Sequence, residues 1–225
     1  MLVSHRHRFI YTKTGKTAGT SVESYFERYC MDDGWTESQP REESISAAGI
    51  VGFRGRRVPE GCRYWNHMPA ALIRECVGSD VWESYFKFCV VRNPYEKVLS
   101  HFYFQRSLGS LAENPHEPDS VQFEQWLTSS GVPLDRDKYV IDGQFCLDFA
   151  VRYEALHADL AAVCSRLSLD WEPERLPTFK TGIRPATGTV AAMYTPTSVT
   201  LVREAYAFEF ERFGYPHDLN ETSIP

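Results

Sequence analysis

The sequence predicts an α/β fold, with a mainly parallel sheet flanked by helices. Two strand–loop–helix units carry this prediction, one beginning at Phe9 and one at Phe86. The chain has 225 residues, of which 43% are hydrophobic, which is enough apolar material for one large core. We therefore expect residues 1–225 to form a single domain.

The first unit opens with a β-favouring run at residues 9–12, which ends in a loop of Gly, Thr, Lys and Ala. Four apolar residues behind the loop recur at the spacing of one helix face: Val22, Tyr25, Phe26 and Tyr29. Thr20 or Ser21 is the expected helix cap, because a hydroxyl can accept from a first-turn N–H.

The second unit follows an irregular stretch, residues 31–61, in which the pattern allows a hairpin at 50–58. Pro69 suits the first turn of a short helix that continues to Val77, so His67 lies just ahead of a helix. Residues 86–91 form an almost continuous apolar run and predict a buried strand. Arg92-Asn93-Pro94 ends that strand, and a helix is expected over residues 95–105.

The last third of the chain continues the alternation of strands and helices. A third strand is predicted over residues 145–151, and an amphipathic helix over 155–167. Residues 176–189 are rich in Gly, Thr and Pro and predict a loop. Thr195-Pro196 opens a final helix that should end at Gly214.

The charge and apolar patterns exclude several classes of protein. With 24 Lys and Arg against 30 Asp and Glu, the formal charge is -6, so no global basic field favours nucleic acid. No stretch approaches the roughly 18 apolar residues that span a bilayer. We expect no secretory signal, because the apolar segment that follows the basic residues 1–8 is too short. We expect a cytoplasmic protein, unless a longer natural N-terminus was trimmed.

The six cysteines contain no CxxC pair, which argues against zinc.

The loop at residues 15–21 predicts an anion site. Small residues between a buried strand and a helix expose backbone N–H groups, and the helix N-terminus adds partial positive charge. Lys16 supplies a full charge, and the hydroxyls of Thr17, Thr20 and Ser21 can donate to phosphate or sulfate oxygens. The Walker A spacing needs Gly where Ile10 stands. The alternative is a capped turn with a solvated lysine.

Lys16-Thr17-Ala18-Gly19-Thr20-Ser21 after a strand resembles the 5′-phosphosulfate loop of the sulfotransferases that use 3′-phosphoadenosine 5′-phosphosulfate (PAPS). The similarity is closest to the carbohydrate O-sulfotransferases, whose pattern is Pro-Lys-Thr-Ala/Gly-Gly-Thr-Ser. Gly15 stands in the place of that proline, which loosens the turn without removing a contacting group. The resemblance implies a P-loop-like sulfotransferase architecture. It also implies that all six residues bind the donor, with Lys16 catalytic as well.

Two later segments extend the resemblance. Arg92 and Ser100, eight positions apart at a strand end and on the following helix, are similar to the family's 3′-phosphate motif. Taken alone, this segment is equally a capped turn with a structural arginine. Residues 178–189, with Thr181 and Arg184, look like the basic loop that closes over the nucleotide, although a solvated linker has the same composition.

His67 matches in position the histidine that similar glycan sulfotransferases use as general base. A group that titrates near neutral pH suits removal of a proton from an acceptor hydroxyl. The resemblance therefore implies sulfuryl transfer from PAPS to a hydroxyl on a glycan or small molecule. Lys16 would stabilise the leaving phosphate and His67 would act as base. No metal is expected, because lysine and backbone amides replace it.

Two other functions remain open from the sequence alone. A nucleotide-dependent kinase would also use Gly-Lys-Thr after a strand, although the Walker spacing is missing. A non-catalytic nucleotide-binding protein would keep the fold without turnover. Acceptor recognition is expected in residues 31–62 and 109–119. A local basic groove, from Arg54, Arg56, Arg57 and Arg63, would be needed to bind a long polyanion.

Overall fold

The computed structural model describes residues 1–32, 42–55, 57–179 and 189–219. Within these ranges the chain forms two compact units. The first comprises Met1–Val91 and Asp135–Phe179, and the second comprises Arg92–Leu134 with the described part of residues 180–225. The single domain expected over residues 1–225 stays a prediction.

The first unit is built on a β-sheet. The strands, in chain order, are β1 (Leu2–Ser4), β2 (Phe9–Tyr11), β3 (Ser44–Ile45), β4 (Gly49–Val51), β5 (Phe86–Val91), β6 (Val140–Ile141), β7 (Gln144–Phe145) and β8 (Phe149–Arg152). Six of these described strands form one sheet in the order β3-β4-β1-β2-β5-β8, and β6 pairs with β7. The predicted strands at the start of both strand–loop–helix units are confirmed.

The sheet is mixed, which corrects the prediction of a mainly parallel one. β2, β5 and β8 are parallel neighbours, with Tyr11 opposite Phe88 and Val90 opposite Val151. The pairs β1–β2, β1–β4 and β3–β4 are antiparallel. β1, β3 and β4 have three residues or fewer, too few for a sequence pattern to reveal. Tight turns join β1 to β2 and β3 to β4, and such turns permit only antiparallel pairing.

Within the described residues, the first unit contains four α-helices besides its sheet, and the secondary structure of the second unit is helical. In chain order they are α1 (Gly19–Phe26), α2 (Ala70–Val77), α3 (Ser79–Ser84), α4 (Pro94–Ser107), α5 (Asp119–Ser130), α6 (Leu156–Arg166), α7 (Val190–Met193), α8 (Pro196–Ala205) and α9 (Ala207–Phe213). The helices predicted behind both buried strands are confirmed. None of the helices in the described ranges combines the length and apolar character that crossing a membrane requires.

Three elements differ from their predicted limits. The hairpin expected at residues 50–58 forms at 44–51, as β3 and β4. The third strand of the parallel set begins only at Phe149. The final helix divides into α8 and α9 at Tyr206, which leaves helical geometry (ψ 20°). That side chain is buried, and its hydroxyl donates to the Pro133 oxygen at 2.6 Å. Gly214 ends α9 as predicted.

Each unit has its own aromatic core. In the first, the buried rings of Phe9, Phe26 and Phe88 lie between 5.2 and 5.9 Å apart, centroid to centroid. In the second, Tyr95 packs on Tyr194 at 5.1 Å and on Phe210 at 5.2 Å. Burial of one such side chain contributes about 1.5–3 kcal/mol. The first core therefore fixes β2, α1 and β5 together, and these are the elements that hold the loop predicted to bind an anion.

Candidate functional site

The loop between β2 and α1 lies at the carboxyl ends of two parallel strands, β2 and β5. The N–H of Thr12 donates to the Phe88 oxygen at 3.0 Å, and the Thr14 hydroxyl donates to the Val90 oxygen. These contacts continue the pairing of β2 with β5 beyond the end of β2. Ligands of open α/β sheets bind at this end of the strands, so the predicted loop is suitably placed for a ligand.

The loop backbone adopts a conformation that side chains rarely take. Lys16 has a φ of 60° and Ala18 a φ of 58°, in the left-handed region that residues other than glycine seldom occupy. Such a residue costs on the order of 1 kcal/mol or more and persists only where its surroundings hold it. Loops that contain left-handed residues form the backbone concavities that bind anions.

The first turn of α1 is packed directly against the start of the loop. A Cβ added to Gly19 would lie 2.9 Å from the Thr14 oxygen and 3.1 Å from the Lys13 Cγ, so only glycine fits here without a shift. Ala18 precedes the helix, and Thr20 and Ser21, the expected caps, lie inside it. Among the described residues no side chain caps this end, which leaves a helix N-terminus of the kind that binds anions.

The three hydroxyls predicted to contact the donor have different surroundings. Thr17 is fully buried, and its hydroxyl lies 2.7 Å from that of Thr14. The Ser21 hydroxyl accepts from the N–H of Phe179 at 3.4 Å. The Thr20 side chain is partly exposed. The Thr17 hydroxyl therefore contributes to the loop's own shape, the Ser21 hydroxyl contacts the backbone at Phe179, and the Thr20 side chain is placed nearer solvent.

The loop carries two lysines with different environments. Lys16 is partly exposed, as an anion-binding side chain needs to be. Lys13 is buried, and its Nζ lies 2.7 Å from the Oε2 of Glu23, which is itself fully buried. The N-terminal amine of Met1 lies 3.1 Å from the same carboxylate. Sequence analysis missed this ion-pair cluster, because neither Lys13 nor Glu23 stands in a pattern that indicates burial.

His67 reaches the loop from a distant part of the chain. Its ring nitrogen Nδ1 lies 3.1 Å from the backbone oxygen of Lys13. A carbonyl oxygen can only accept a hydrogen bond, so Nδ1 carries the proton and, in the neutral ring, Nε2 keeps its lone pair. His67 has a φ of 55°, a third left-handed residue at this site. As predicted, it lies just ahead of a helix, α2.

The surroundings of His67 lower its pKa from the ordinary 6.5 to about 4. The side chain still reaches solvent, but the nearby protein atoms reduce the hydration of its charged form, and this is the largest cause. The charges of Lys13 and of the N-terminal amine act in the same direction, whereas Glu23 and Asp135 oppose them. His67 is therefore uncharged at neutral pH, the state in which it can accept a proton.

Asp135 is a residue of this site that no sequence pattern indicates. Its Oδ2 accepts a hydrogen bond from the backbone N–H of Gly15 at 2.6 Å, across 120 positions of the chain. It stands in a polar segment without a recognisable motif, and only the folded chain brings it to the loop. The loop therefore has a carboxylate on its first glycine.

The predicted 3′-phosphate segment lies in the second unit, where it forms a local cluster. Asn93 caps α4, because its side chain accepts from the N–H of Tyr95 at 3.0 Å. An Nη2 of Arg92 lies 3.1 Å from Glu96 Oε2. Glu96 and Ser100 are four residues apart and share one face of α4. Arg92 therefore pairs with a residue on the helix face that carries Ser100, and the assignment of Arg92 and Ser100 to a 3′-phosphate stays a prediction.

A comparison with protein-family models identifies the family of the chain. Residues 1–216 match the model described as "Sulfotransferase family". The chain belongs to the sulfotransferase family. This membership indicates sulfuryl transfer as the general activity, and it confirms the family predicted from the loop and from Arg92 and Ser100.

Comparison with individual proteins adds no information on the activity of this sulfotransferase. It is similar to an "Uncharacterized protein" of Archaeoglobus fulgidus, with 32% identity over 117 residues. The match covers 48% of this chain and 87% of the archaeal protein. No solved structure matches the chain significantly.

The remaining predicted residues of this sulfotransferase fall into two groups. Thr181 and Arg184 lie outside the described residues, as does Arg56. Arg54, expected in a basic groove, is 8% exposed and lies 3.2 Å from Glu27 Oε2. It is held inside the first unit, which leaves Arg57 and Arg63 as the exposed cations of that set in the described chain.

Proposed function

We propose that this sulfotransferase moves a sulfuryl group from PAPS to a hydroxyl of an acceptor, with a glycan hydroxyl as the first candidate. The observation that carries the proposal is the contact between His67 and the backbone of Lys13. It places a neutral imidazole on the loop that, by family resemblance, receives the phosphosulfate. A base beside an anion-binding loop is what transfer to a hydroxyl requires.

The loop residues fit a phosphosulfate group. The left-handed backbone at Lys16 and Ala18 and the helix end at Gly19 supply N–H donors and partial positive charge. Thr17, Thr20 and Ser21 complete the donor loop, Thr17 chiefly through its backbone. The Lys16 ammonium would stabilise the negative charge that grows on the leaving phosphate in a loose, in-line transition state.

His67 would take the proton of the acceptor hydroxyl on Nε2. The contact from Nδ1–H to the Lys13 oxygen fixes the ring's tautomer and orientation. A lowered pKa keeps the ring unprotonated before the reaction, although it also makes the ring a weaker base. The negative charge of a bound donor would raise that pKa again, because an anion favours the imidazolium form.

Arg92 and Ser100 would recognise the 3′-phosphate. The guanidinium can give charge-assisted hydrogen bonds, and the Ser100 hydroxyl can donate to the same anion. Arg92 precedes α4 and pairs with Glu96, which shares a helix face with Ser100, and this supports the assignment. Thr181 and Arg184 are proposed as further donor contacts on the family resemblance alone.

A glycan acceptor rests on the same resemblance. With a net charge of -6 and with Arg54 paired inside the fold, a long polyanionic chain is a less suitable acceptor. Neutral or weakly charged glycans and small hydroxyl compounds are therefore the first acceptors to test.

Calorimetric titration tests the donor site. The purified protein is titrated with adenosine 3′,5′-bisphosphate, with 5′-AMP and with Mg-ATP. We expect tight binding of the bisphosphate alone, because only it carries the 3′-phosphate. A preference for Mg-ATP would point to a kinase, and no binding of any of the three would point to a fold that has lost its nucleotide.

A transfer assay tests turnover. The protein is incubated with PAPS labelled in its sulfuryl group and with a panel of glycan and small-molecule acceptors, in the presence of EDTA. Labelled acceptor should form without added metal, and Lys16→Ala should lose most of the product. Strict dependence on Mg²⁺ would count against this mechanism. Bisphosphate binding without turnover on any acceptor would favour a non-catalytic nucleotide-binding protein.

A further inference from the structure

Gly15 is the glycine that precedes Lys16 in the loop. Glycine loses more conformational entropy on ordering than other residues, so a precise loop needs a contact that fixes it. That contact is the hydrogen bond from Gly15 N–H to Asp135 Oδ2 at 2.6 Å. Asp135 therefore holds the loop one residue before Lys16.

Asp135 and His67 are fastened to the same short stretch of backbone. His67 Nδ1 contacts the oxygen of Lys13, and Asp135 Oδ2 contacts the N–H of Gly15, two residues later. The helix that follows His67, α2, packs against the turn Arg136–Lys138 and against β6, which both follow Asp135. Both side chains therefore contact the loop within three residues, and the segments that carry them pack against each other.

The charged groups that act on His67 come from four parts of the first unit. Lys13 of the loop and the amine of Met1 oppose a positive imidazole, whereas Glu23 of α1 and Asp135 favour it. Glu23 is already shared between Lys13 at 2.7 Å and the Met1 amine at 3.1 Å. Glu23 is the larger of the two supports for a positive charge on His67, and Asp135 is the second. The Asp135 carboxylate is the one of the two that is also bound to the loop backbone, at the N–H of Gly15.

We propose that Asp135 is a positioning residue for transfer, fixed on Gly15 so that its carboxylate supports the positive charge that His67 acquires when it takes the acceptor proton. This inference rests on the proposed role of His67 as base. The proton moves from the acceptor hydroxyl to His67 Nε2, and Asp135 stays ionised and bound to the Gly15 N–H throughout. No bond to Asp135 forms or breaks.

A matched pair of variants tests the kinetic part. Asp135→Asn keeps the size of the side chain and an oxygen that can accept from Gly15, but it removes the charge. Asp137→Asn makes the same change two residues later, at a side chain that pairs with Lys138. We expect kcat to fall about tenfold in Asp135→Asn. In a plot of kcat against pH, the fall on the acidic side should move to lower pH. Affinity for adenosine 3′,5′-bisphosphate should be retained or tightened, because one negative charge has left an anion site. Asp137→Asn should match the wild type.

Other kinetic results would overturn the proposal. Faster turnover with tighter nucleotide binding would mean that Asp135 only competes with the donor for the loop. Loss of nucleotide affinity and of thermal stability together, with an unchanged pH profile, would mean that it only holds the loop. An unchanged kcat would mean that its charge has no part in transfer.

A measurement without turnover separates this inference from the proposed function. The pKa of His67 is followed by NMR in the nucleotide-free protein, with the His67 signal identified by its loss in His67→Gln. Asp135→Asn should lower that pKa further, and Asp137→Asn should leave it where it is. An unchanged pKa in Asp135→Asn would overturn the inference even in an active enzyme. A lowered pKa in a protein that transfers no sulfuryl group would confirm the coupling of the two residues and refute only the function.

Discussion

His67 Nδ1 lies 3.1 Å from the backbone oxygen of Lys13, a residue 54 positions earlier in the chain. The contact determines which ring nitrogen carries the proton, since a carbonyl oxygen only accepts. It also fixes the imidazole to the loop itself, at the end of β2. The distance between the imidazole and the loop is thereby set by the fold.

Replacement of His67 should reduce catalysis and spare binding. His67→Gln removes the proton acceptor, and a general base is worth roughly a hundredfold to ten-thousandfold in rate. We expect kcat to fall within that range, while the calorimetric Kd for adenosine 3′,5′-bisphosphate changes little. His157→Gln is the matched control, since His157 lies on α6 against Trp171. Full activity in His67→Gln would end the assignment of the base.

The pKa of His67 also makes a prediction about stability. In the folded chain the pKa is about 4, below the ordinary 6.5, so between these values the unfolded chain binds a proton that the folded chain does not. Folding stability contributed by this residue therefore falls as the pH falls through that window. Urea unfolding at a series of pH values should show a steeper loss in the wild type than in His67→Gln. Parallel curves would show that the pKa is not lowered.

Arg92 should determine selectivity for the 3′-phosphate. A hydrogen bond to a charged group contributes about 1.5–3 kcal/mol, so Arg92→Met should weaken bisphosphate binding by roughly tenfold to a hundredfold. Binding of 5′-AMP, which lacks the 3′-phosphate, should change much less. Arg203→Met, at an exposed arginine of α8, is the control. Equal losses for both nucleotides would remove Arg92 from the 3′-phosphate site.

Two glycines of the same loop should respond differently to an added methyl group. In Gly19→Ala the Cβ would meet the Thr14 oxygen at 2.9 Å, whereas in Gly15→Ala it would lie 3.5 Å from Asp135 Oδ2, an ordinary contact. We expect Gly19→Ala to lose most affinity for adenosine 3′,5′-bisphosphate and Gly15→Ala to keep it. Similar affinities for both variants would mean that the loop tolerates a shift at Gly19.

The buried ion pairs under the loop should matter more for stability than an exposed pair. Glu23→Gln leaves Lys13 and the Met1 amine without their buried carboxylate, and removal of one partner of a buried pair costs about 3–5 kcal/mol. Arg175→Gln breaks a pair with Glu172 whose side chains are 56% and 36% exposed, and it should change little. The free energy of unfolding in urea measures both. A loss no larger in Glu23→Gln than in Arg175→Gln would contradict this.

Much of the fold was predictable because its signals are local. The apolar run of β5 and the spacing of Val22, Tyr25 and Phe26 on α1 can be read within ten residues, and both are confirmed. For the antiparallel pairs the sequence pattern indicated only a hairpin, which forms at residues 44–51 and not at 50–58. β1, β3 and β4 are so short that their identity depends on partners elsewhere in the chain.

The sequence by itself determined the family and the residue types of the site. The loop from Lys16 to Ser21 and the Arg92 motif are each formed by residues close together in the chain. Such motifs can be recognised without knowledge of the fold. Only the tertiary structure decided that His67 contacts Lys13, that Asp135 contacts Gly15 and that Lys13 is paired with Glu23. The physical reason is the range of each signal. A loop and its helix arise from neighbouring residues, whereas a base, its tautomer and its counter-charges arise from residues that only the packed sheet and helices bring together.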